Sequence, residues 1–349
     1  MATRDIIEVQ SQKNNPNGEA CSIIVVLRDR FSTTAKCVEH IIQNTPEPYD
    51  LVVVLGGTPR RIENDLRKRY GSKGRFVFQP HFINPTQARN IGLRAAKTRL
   101  AVLIDNDVYV RPGWFGPLLE CQRETGATMV VPLILERENI IHTAGNDFYV
   151  TYENGRAYGY KELRYYGRVY SESANLKRRP TDYGELHCQL IEVEPALRLG
   201  VYDENIQEVG ECDSGLTWGK AGLAMWFEPK SVVFYEPPIE IVHVEDIRFF
   251  AWRWDMRTIL KGYQYFEQKW GIDITEYNSF QEWLLRWNKK LGFLPRMFPY
   301  GWALWLDRTS KRFFGWLQRI VQLPLSAWNR FIAWKLGFYE WPRHEVKCQ

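Results

Sequence analysis

The chain has 349 residues and a formal net charge of +5, with 45% hydrophobic and 25% charged residues. This composition is that of a folded globular protein with a sizeable core, which excludes a disordered or fibrous chain. No stretch reaches the roughly 18 apolar residues of a membrane-spanning helix, and the first residues hold no apolar run of a secretory signal. The six cysteines are scattered without a C-x-x-C pair, which favours reduced core thiols in a cytosolic protein over disulfides or a zinc site.

The first third of the chain alternates strand and helix patterns after a polar, flexible N-terminus at 1–20. Strands are predicted at 22–27, 50–55, 75–78 and 100–104, and helices at 33–44, 60–70 and 85–97. This order indicates βαβ units in an α/β fold, with a parallel sheet whose strand ends meet along one edge.

The predicted strand at 100–104 runs into two acids, Asp105 and Asp107. Open α/β sheets bind ligands at the carboxyl ends of their strands, and strand alternation would point both carboxylates the same way, about 7 Å apart. Two such carboxylates favour Mg²⁺ or Mn²⁺, with positions left for the phosphates of a nucleotide. The alternative is a solvated turn at the strand end, since Asp and Asn favour turns. The local sequence favours neither the metal site nor the turn.

The pattern becomes less regular after residue 130. Further strands are predicted at 130–135, 187–193 and 224–234, with a short helix at 195–200. Residues 145–181 are rich in Tyr and Arg and poor in aliphatic residues. They predict a long structureless excursion over a binding surface, because long loops of this kind are usually functional.

Three blocks carry a resemblance to a known family. They are Ala88-Arg89-Asn90-Ile-Gly92 with the later Asp105-Asn-Asp107 and Trp114, then Glu192 to Glu204, then Gly210-Glu211-Cys-Asp213 leading to Ala221-Gly222. In this order and spacing, residues 22–245 resemble glycosyltransferase family 2, inverting enzymes of the type A fold. The resemblance implies a Rossmann-like sheet with helices on both faces in a catalytic domain at 21–247. Alternating aromatic and basic residues, as in Phe249 to Trp254, predict a helical lid or linker at 248–285.

The resemblance also implies roles in donor binding. Asp105 would lie against the ribose and the metal, and Asp107 would ligate the Mn²⁺ or Mg²⁺ that bridges the two phosphates of a sugar nucleotide. Arg89 and Asn90 would help to hold the nucleotide, although a helix start with Asn and a solvated Arg is also ordinary. His243 would be a third metal ligand, with a purely structural histidine as the alternative.

Glu211 matches the family's catalytic base, and Asp213 is the fallback base because a slip in register would exchange their roles. An inverting transfer needs one carboxylate to take the proton of the acceptor hydroxyl. Both acids could instead serve only as favourable charges at a helix N-terminus. His142 is a weaker candidate for the donor-sugar pocket.

Two departures from the family pattern leave the nucleobase open. The second strand ends in Leu55-Gly56-Gly57 without the family's acid, and the first strand ends in Arg28-Asp29-Arg30. Asp29 is the candidate to contact the nucleobase in place of that acid. UDP is expected as the nucleotide because it is the most frequent one in the family.

The C-terminal residues 286–349 differ from the rest of the chain. They hold seven of the 14 tryptophans and 12 Lys or Arg against 3 Asp or Glu, a net charge of +9, so that residues 1–285 carry −4. Helical spacing places Trp302, Phe313 and Leu317 on one side and basic residues on the other, which is typical of amphipathic helices lying in a membrane interface. Packing on the catalytic body or an oligomer contact is the alternative.

These features together predict a metal-dependent inverting glycosyltransferase of the hexosyltransferase class, peripheral on the cytoplasmic face of a membrane. It would move a sugar from a nucleoside-diphosphate donor to a hydroxyl of a lipid-linked or polysaccharide acceptor, with no nucleic-acid partner. A sugar-nucleotide nucleotidyltransferase is the first alternative, but the glycine-rich phosphate loop that it needs is missing after the first strand. A non-catalytic binding protein of the same fold is the second, and the intact acids weigh against it.

Overall fold

The computed structural model describes residues 20–171, 175–200, 202–238, 243–254 and 256–274. The predicted N-terminus up to residue 19, the end of the predicted lid or linker, and the predicted C-terminal helices at 286–349 lie outside the described residues.

The first part of the chain forms a parallel sheet, as predicted. Its elements are β1 (Cys21–Val26), α1 (Thr34–Asn44), β2 (Tyr49–Gly56), α2 (Arg60–Tyr70), β3 (Arg75–Gln79), α3 (Pro85–Ala95) and β4 (Leu100–Asp105). β1 is parallel to both β2 and β4, and β3 continues the sheet beyond β2. Every residue of β1 and β4 is buried, because helices cover both faces of these central strands.

Alternate residues of β1 show the two covered faces. Ile23 and Val25 belong to one core cluster, together with Val38 of α1. Ile24 belongs to a second cluster, together with Leu93 of α3. The α/β class, with a large sheet and helices on both sides, is therefore confirmed.

The remaining elements widen the sheet and add a second one. They are β5 (Val108–Val110), α4 (Phe115–Thr125), β6 (Met129–Glu136), β7 (Ile140–Thr143), β8 (Asn146–Glu153), β9 (Arg156–Leu163), β10 (Arg179–Pro180), β11 (Cys188–Glu192), α5 (Val193–Arg198), α6 (Gly210–Lys220), β12 (Met225–Tyr235), α7 (Val244–Arg253), α8 (Met256–Trp270) and β13 (Ile272–Asp273). In the main sheet, the order is β10-β12-β6-β11-β4-β1-β2-β3, with β5 and β7 attached at its side. β11 runs antiparallel to both of its neighbours, β4 and β6.

The prediction of a structureless excursion at 145–181 is wrong. β8 and β9 pair antiparallel along eight residues each, and β13 joins them in a separate three-stranded sheet. The connecting residues Asn154 and Gly155 both have positive φ, 50° and 78°, as a two-residue type I′ turn requires. Exposed Tyr149 and Tyr160 stack on each other across the two strands. The outer face of this hairpin is therefore aromatic, and the sequence lacks the alternating aliphatic residues that usually indicate a strand.

Helix α7 is tied at both ends to the loop that follows β1. Near its start, Asp246 accepts hydrogen bonds from the backbone N–H groups of Phe31, at 2.6 Å, and Ser32, at 3.2 Å. At its end, the indole of Trp254 donates to Asp29 at 3.0 Å. Phe250 and Trp254 also pack with α8 in a third core cluster. Among the described residues, no helix combines the length and apolar character that crossing a bilayer requires.

Candidate active site

The two acids predicted to hold a metal lie at the carboxyl end of β4. The strand ends at Asp105, and Asn106 and Asp107 form a turn before β5, so the two acids do not share one strand as the alternation predicts. Asn106 fixes this turn to the loop after β1. It accepts a hydrogen bond from the backbone N–H of Arg28 at 3.0 Å and donates to the Arg30 carbonyl at 2.6 Å and the Thr34 hydroxyl at 2.8 Å.

Asp105 is fully buried among cationic and aromatic neighbours. It forms ion pairs with Arg89 and, at 3.1 Å, with Arg28, and it lies 3.2 Å from Nδ1 of His187. Burial alone would raise the pKa of Asp105, but Arg89, His187 and Arg28 outweigh it and hold that pKa well below its usual range. Asp105 is therefore a carboxylate at neutral pH.

Asp107 is equally buried, and the charges of Arg28 and Arg30 only partly offset its burial. Neither of its carboxylate oxygens has a hydrogen-bond partner among the described residues. Burial, together with repulsion from Asp105, raises the pKa of Asp107 well above its ordinary value. An uncompensated buried carboxylate is costly, and a cation is the usual partner that removes the cost.

A histidine completes this group. Ligand atoms of Asp105, Asp107 and His187 all lie within 4.8 Å of one another. Burial and the nearby Arg28 lower the pKa of His187 well below its ordinary value, so the imidazole is neutral and able to ligate. Two carboxylates and one neutral imidazole fit a divalent cation such as Mn²⁺. We define these three residues as the metal-site triad.

Sequence reasoning missed His187 because its position depends on a non-local register. The residue precedes β11, whose antiparallel pairing sets Cys188 opposite Ile104 of β4. The backbone N–H of Asp105 donates to the His187 carbonyl at 3.0 Å, so the histidine lies directly beside the acid. No spacing in the sequence marks this partner.

The two histidines that the sequence singled out lie in different places. His142 lies beside the triad, with its ring centroid 5.1 Å from that of His187, and it forms a second potential ligand group with Glu185 and His187. His243 is exposed at the N-terminus of α7, in a groove shared with Arg61. Within the described residues, His243 belongs to no group of potential metal ligands.

Glu211 lies in the first turn of α6 and is buried. Its Oε1 accepts a hydrogen bond from Nζ of Lys161, on β9, at 2.6 Å. Burial alone would raise the pKa of Glu211, but Lys161, with a smaller contribution from Arg28, lowers it. The charge of Arg28, which pairs with Asp105, thus also favours the ionised form of Glu211.

Asp213, the fallback base, points to another part of the structure. Its Oδ1 accepts from the indole of Trp270 and from Nζ of Lys269, both at 2.8 Å. Lys269 also pairs with Asp203 at 2.9 Å, in a groove that Asn90 helps to line. The structure therefore pairs Glu211 with Lys161 of β9, and Asp213 with Lys269 and Trp270 of α8.

The predicted nucleotide-binding residues all make contacts within the chain. Arg89 contacts Asp105 and donates to the Leu186 carbonyl at 2.9 Å. Asn90 exchanges hydrogen bonds with the Tyr202 backbone, donating to its carbonyl at 2.8 Å and accepting from its N–H at 3.1 Å. Asp29 accepts from the Trp254 indole, and its other carboxylate oxygen lies 3.7 Å from Nε of Arg28 without a hydrogen bond in the described part of the chain. Their contacts to a nucleotide stay predictions.

A known family model matches part of the chain. Residues 22–170 match the family model "Glycosyl transferase family 2", a stretch that spans β1 to β9 and includes the Asp105-Asn-Asp107 turn. Over residues 22–170, this match agrees with the family that the sequence motifs predict.

Solved structures support the fold. The chain is similar to a crystal structure of GalNAc-T7 with UDP, GalNAc and Mn²⁺, with a TM-score of 0.51 and 17% sequence identity. The match covers 77% of this chain and 55% of that chain, so this chain spans about half the length of its structural relative. No curated protein sequence matches significantly. The type A fold is confirmed.

Proposed function

We propose that this chain is a metal-dependent, inverting glycosyltransferase that uses a nucleoside-diphosphate sugar, UDP-linked by default. The observation that carries the proposal is the metal-site triad, in which Asp107 is buried with both oxygens unpaired among the described residues and within 4.8 Å of Asp105 and His187. The presence of UDP, GalNAc and Mn²⁺ in the GalNAc-T7 crystal structure supports the donor class and the metal.

The residues around the metal-site triad fix its positions and charges before a cation binds. Asp105, Asp107 and His187 would hold the cation, which when bound would neutralise charge on the departing diphosphate. Arg89 keeps Asp105 ionised and fixed, and Asn106 holds the turn in place through its three hydrogen bonds. Such a preorganised charge arrangement needs no rearrangement during the reaction.

Glu211 would act as the general base. The acceptor hydroxyl oxygen attacks the anomeric carbon of the donor sugar from the side opposite the diphosphate, the carbon–oxygen bond to the diphosphate breaks, and the hydroxyl proton passes to Glu211. The ion pair with Lys161 supports this assignment, because it favours the carboxylate form. Asp213, which pairs with Lys269 and Trp270 of α8, is the alternative base.

The acceptor and the location are proposed from the sequence. A hydroxyl of a lipid-linked or polysaccharide acceptor fits a chain whose residues 286–349 are basic and rich in tryptophan. The same residues support peripheral attachment to the cytoplasmic face of a membrane, in glycolipid or polysaccharide synthesis, with an oligomer contact as the other use of such helices.

A panel of UDP-, GDP- and dTDP-sugars with Mn²⁺ tests the proposal through release of the nucleoside diphosphate. We expect release to depend on Mn²⁺ and to fall by about 10²–10⁴-fold in Glu211→Gln, the range for loss of a general base. Asp107→Asn should lose both release and Mn²⁺ binding measured by titration calorimetry. Glu194→Gln, an exposed acid on α5, is the control. Unchanged release in Asp107→Asn would contradict the proposal.

A further inference from the structure

Lys161 reaches from the second sheet to the proposed base. It lies on β9, opposite Phe148 of β8, and its Nζ is 2.6 Å from Oε1 of Glu211. The lysine and glutamate side chains are 24% and 8% exposed, so this ion pair is mostly shielded from water. A shielded ion pair is screened much less than a surface one.

The surroundings of Glu211 would otherwise oppose its ionisation. The groups that act on it or lie beside it are Lys161 on β9, Arg28 after β1, Tyr183 and Glu185 before β11, Cys212 on α6 and Tyr263 on α8. Burial and the neighbouring Glu211 charge raise the pKa of Glu185. Two buried carboxylates that repel each other favour sharing one proton unless a cation intervenes.

We propose that Lys161 is a positioning residue for Glu211, holding its carboxylate oriented and ready to accept the acceptor proton. This inference rests on the proposed function, in which Glu211 is the base. Lys161 contacts the base and not the reacting atoms. The hairpin of β8 and β9 therefore supplies a part of the catalytic arrangement that the Asp-Asn-Asp and Gly-Glu-Cys-Asp motifs do not contain.

The hairpin has docking contacts besides the Lys161 ion pair. Arg156, at the start of β9, pairs with Glu267 of α8 at 2.8 Å and with Asp273 of β13 at 2.9 Å. Gly159 packs so closely that an added Cβ would lie 2.6 Å from Ile274. These contacts hold the hairpin at positions 156 and 159, in addition to the Lys161 ion pair.

The test is the pH dependence of kcat/KM for nucleotide release, with Mn²⁺ and the UDP-sugar that the wild-type chain turns over fastest. In Lys161→Met, we expect the acid limb to move to higher pH by about 1–3 units, the usual effect of an adjacent opposite charge on a carboxyl group. Lys161→Arg should restore the wild-type limb. Arg156→Met, which removes a hairpin ion pair remote from the base, should leave the limb unmoved.

A limb at the wild-type pH in Lys161→Met would overturn the inference, even if the rate fell evenly at every pH. Failure of the wild-type chain to release nucleotide from any sugar donor would overturn the proposed function itself. If Lys161→Met folds poorly, ¹³C-carboxyl titration of Lys161→Gln measures the same quantity without turnover, with the Glu211 resonance assigned by its loss in Glu211→Gln. A Glu211 titration no higher than in the wild-type chain would also overturn the inference.

Discussion

At the scale of single residues, the Ala88-Arg89-Asn90 block has a clear physical role. Arg89 and Asp105 form an ion pair in which both side chains are 0% exposed, and Asn90 holds the Tyr202 backbone through two hydrogen bonds. A buried acid of this kind needs a fixed cation, since an unpaired buried charge is strongly destabilising. The Ala88-Arg89-Asn90 block thus stabilises the metal-site triad through the charge of Arg89. This role does not depend on a contact with a nucleotide.

We expect Arg89→Met to lower the free energy of unfolding by about 3–5 kcal/mol, because it leaves the Asp105 charge buried with less compensation. The double variant Arg89→Met/Asp105→Asn should lose less than Arg89→Met alone. Urea denaturation measures both. Arg198→Met, in an exposed pair with Glu194, is the control and should cost less than about 1 kcal/mol. Equal losses in the single and double variants would show that charge is not the cause.

The stability that Asp105 contributes has a definite pH dependence. Its pKa is lower in the folded chain than in the unfolded chain, so the contribution is present above about pH 4, the unfolded value. It is lost as the pH falls through the lowered folded value. The difference in unfolding free energy between wild type and Asp105→Asn should therefore shrink on acidification.

At the scale of elements, the hairpin of β8 and β9 depends on its turn. Asn154 and Gly155 take up positive φ, which glycine adopts without the cost that a Cβ brings. The hairpin in turn presents Lys161 to Glu211. A two-residue turn thus sets the register of a side chain next to the proposed base.

Gly155→Ala should destabilise the chain by about 1–2 kcal/mol, because its φ of 78° lies in the left-handed region. Gly116→Ala in α4 is the matched control, since neither glycine has an atom within 4 Å of the added Cβ and Gly116 has no positive φ. That variant should be neutral or stabilising. Thermal unfolding compares the two, and equal melting temperatures would contradict the argument.

Elements differ in how far the sequence predicts them. The parallel strands β1 to β4 are apolar runs separated by helical spacing, so their order and the edge that carries Asp105 follow from local pattern. The hairpin does not, because its exposed tyrosines hide the alternation, although the Asn154-Gly155 pair is a turn signal. His187 and Lys161 join the site through antiparallel register and tertiary packing, which no local pattern contains.

At the scale of the whole molecule, charge is divided between two regions. Residues 286–349 carry +9 and the remainder −4, a separation that favours attachment of one end to an anionic surface. Each basic residue near such a surface contributes about 1 kcal/mol. The catalytic body would be left facing water.

Charge reversal in the full-length chain tests this attachment. Replacing Arg308, Lys311, Arg312 and Arg319 by Glu should abolish co-flotation with vesicles that contain anionic lipid. Reversing four exposed basic residues of α2 is the control and should leave flotation intact: Arg60, Arg67, Lys68 and Arg69. Equal flotation of both variants, or none by the wild-type chain, would contradict membrane attachment.

The double anchoring of α7 has a mechanical consequence. Because Asp246 and Trp254 hold the loop after β1 at two points, that loop and the helix can only travel together. Arg28 sits on this loop and touches Asp105. A donor that displaced this loop would therefore also act on α7, because these hydrogen bonds join the helix to the edge of the sheet that carries Asp105.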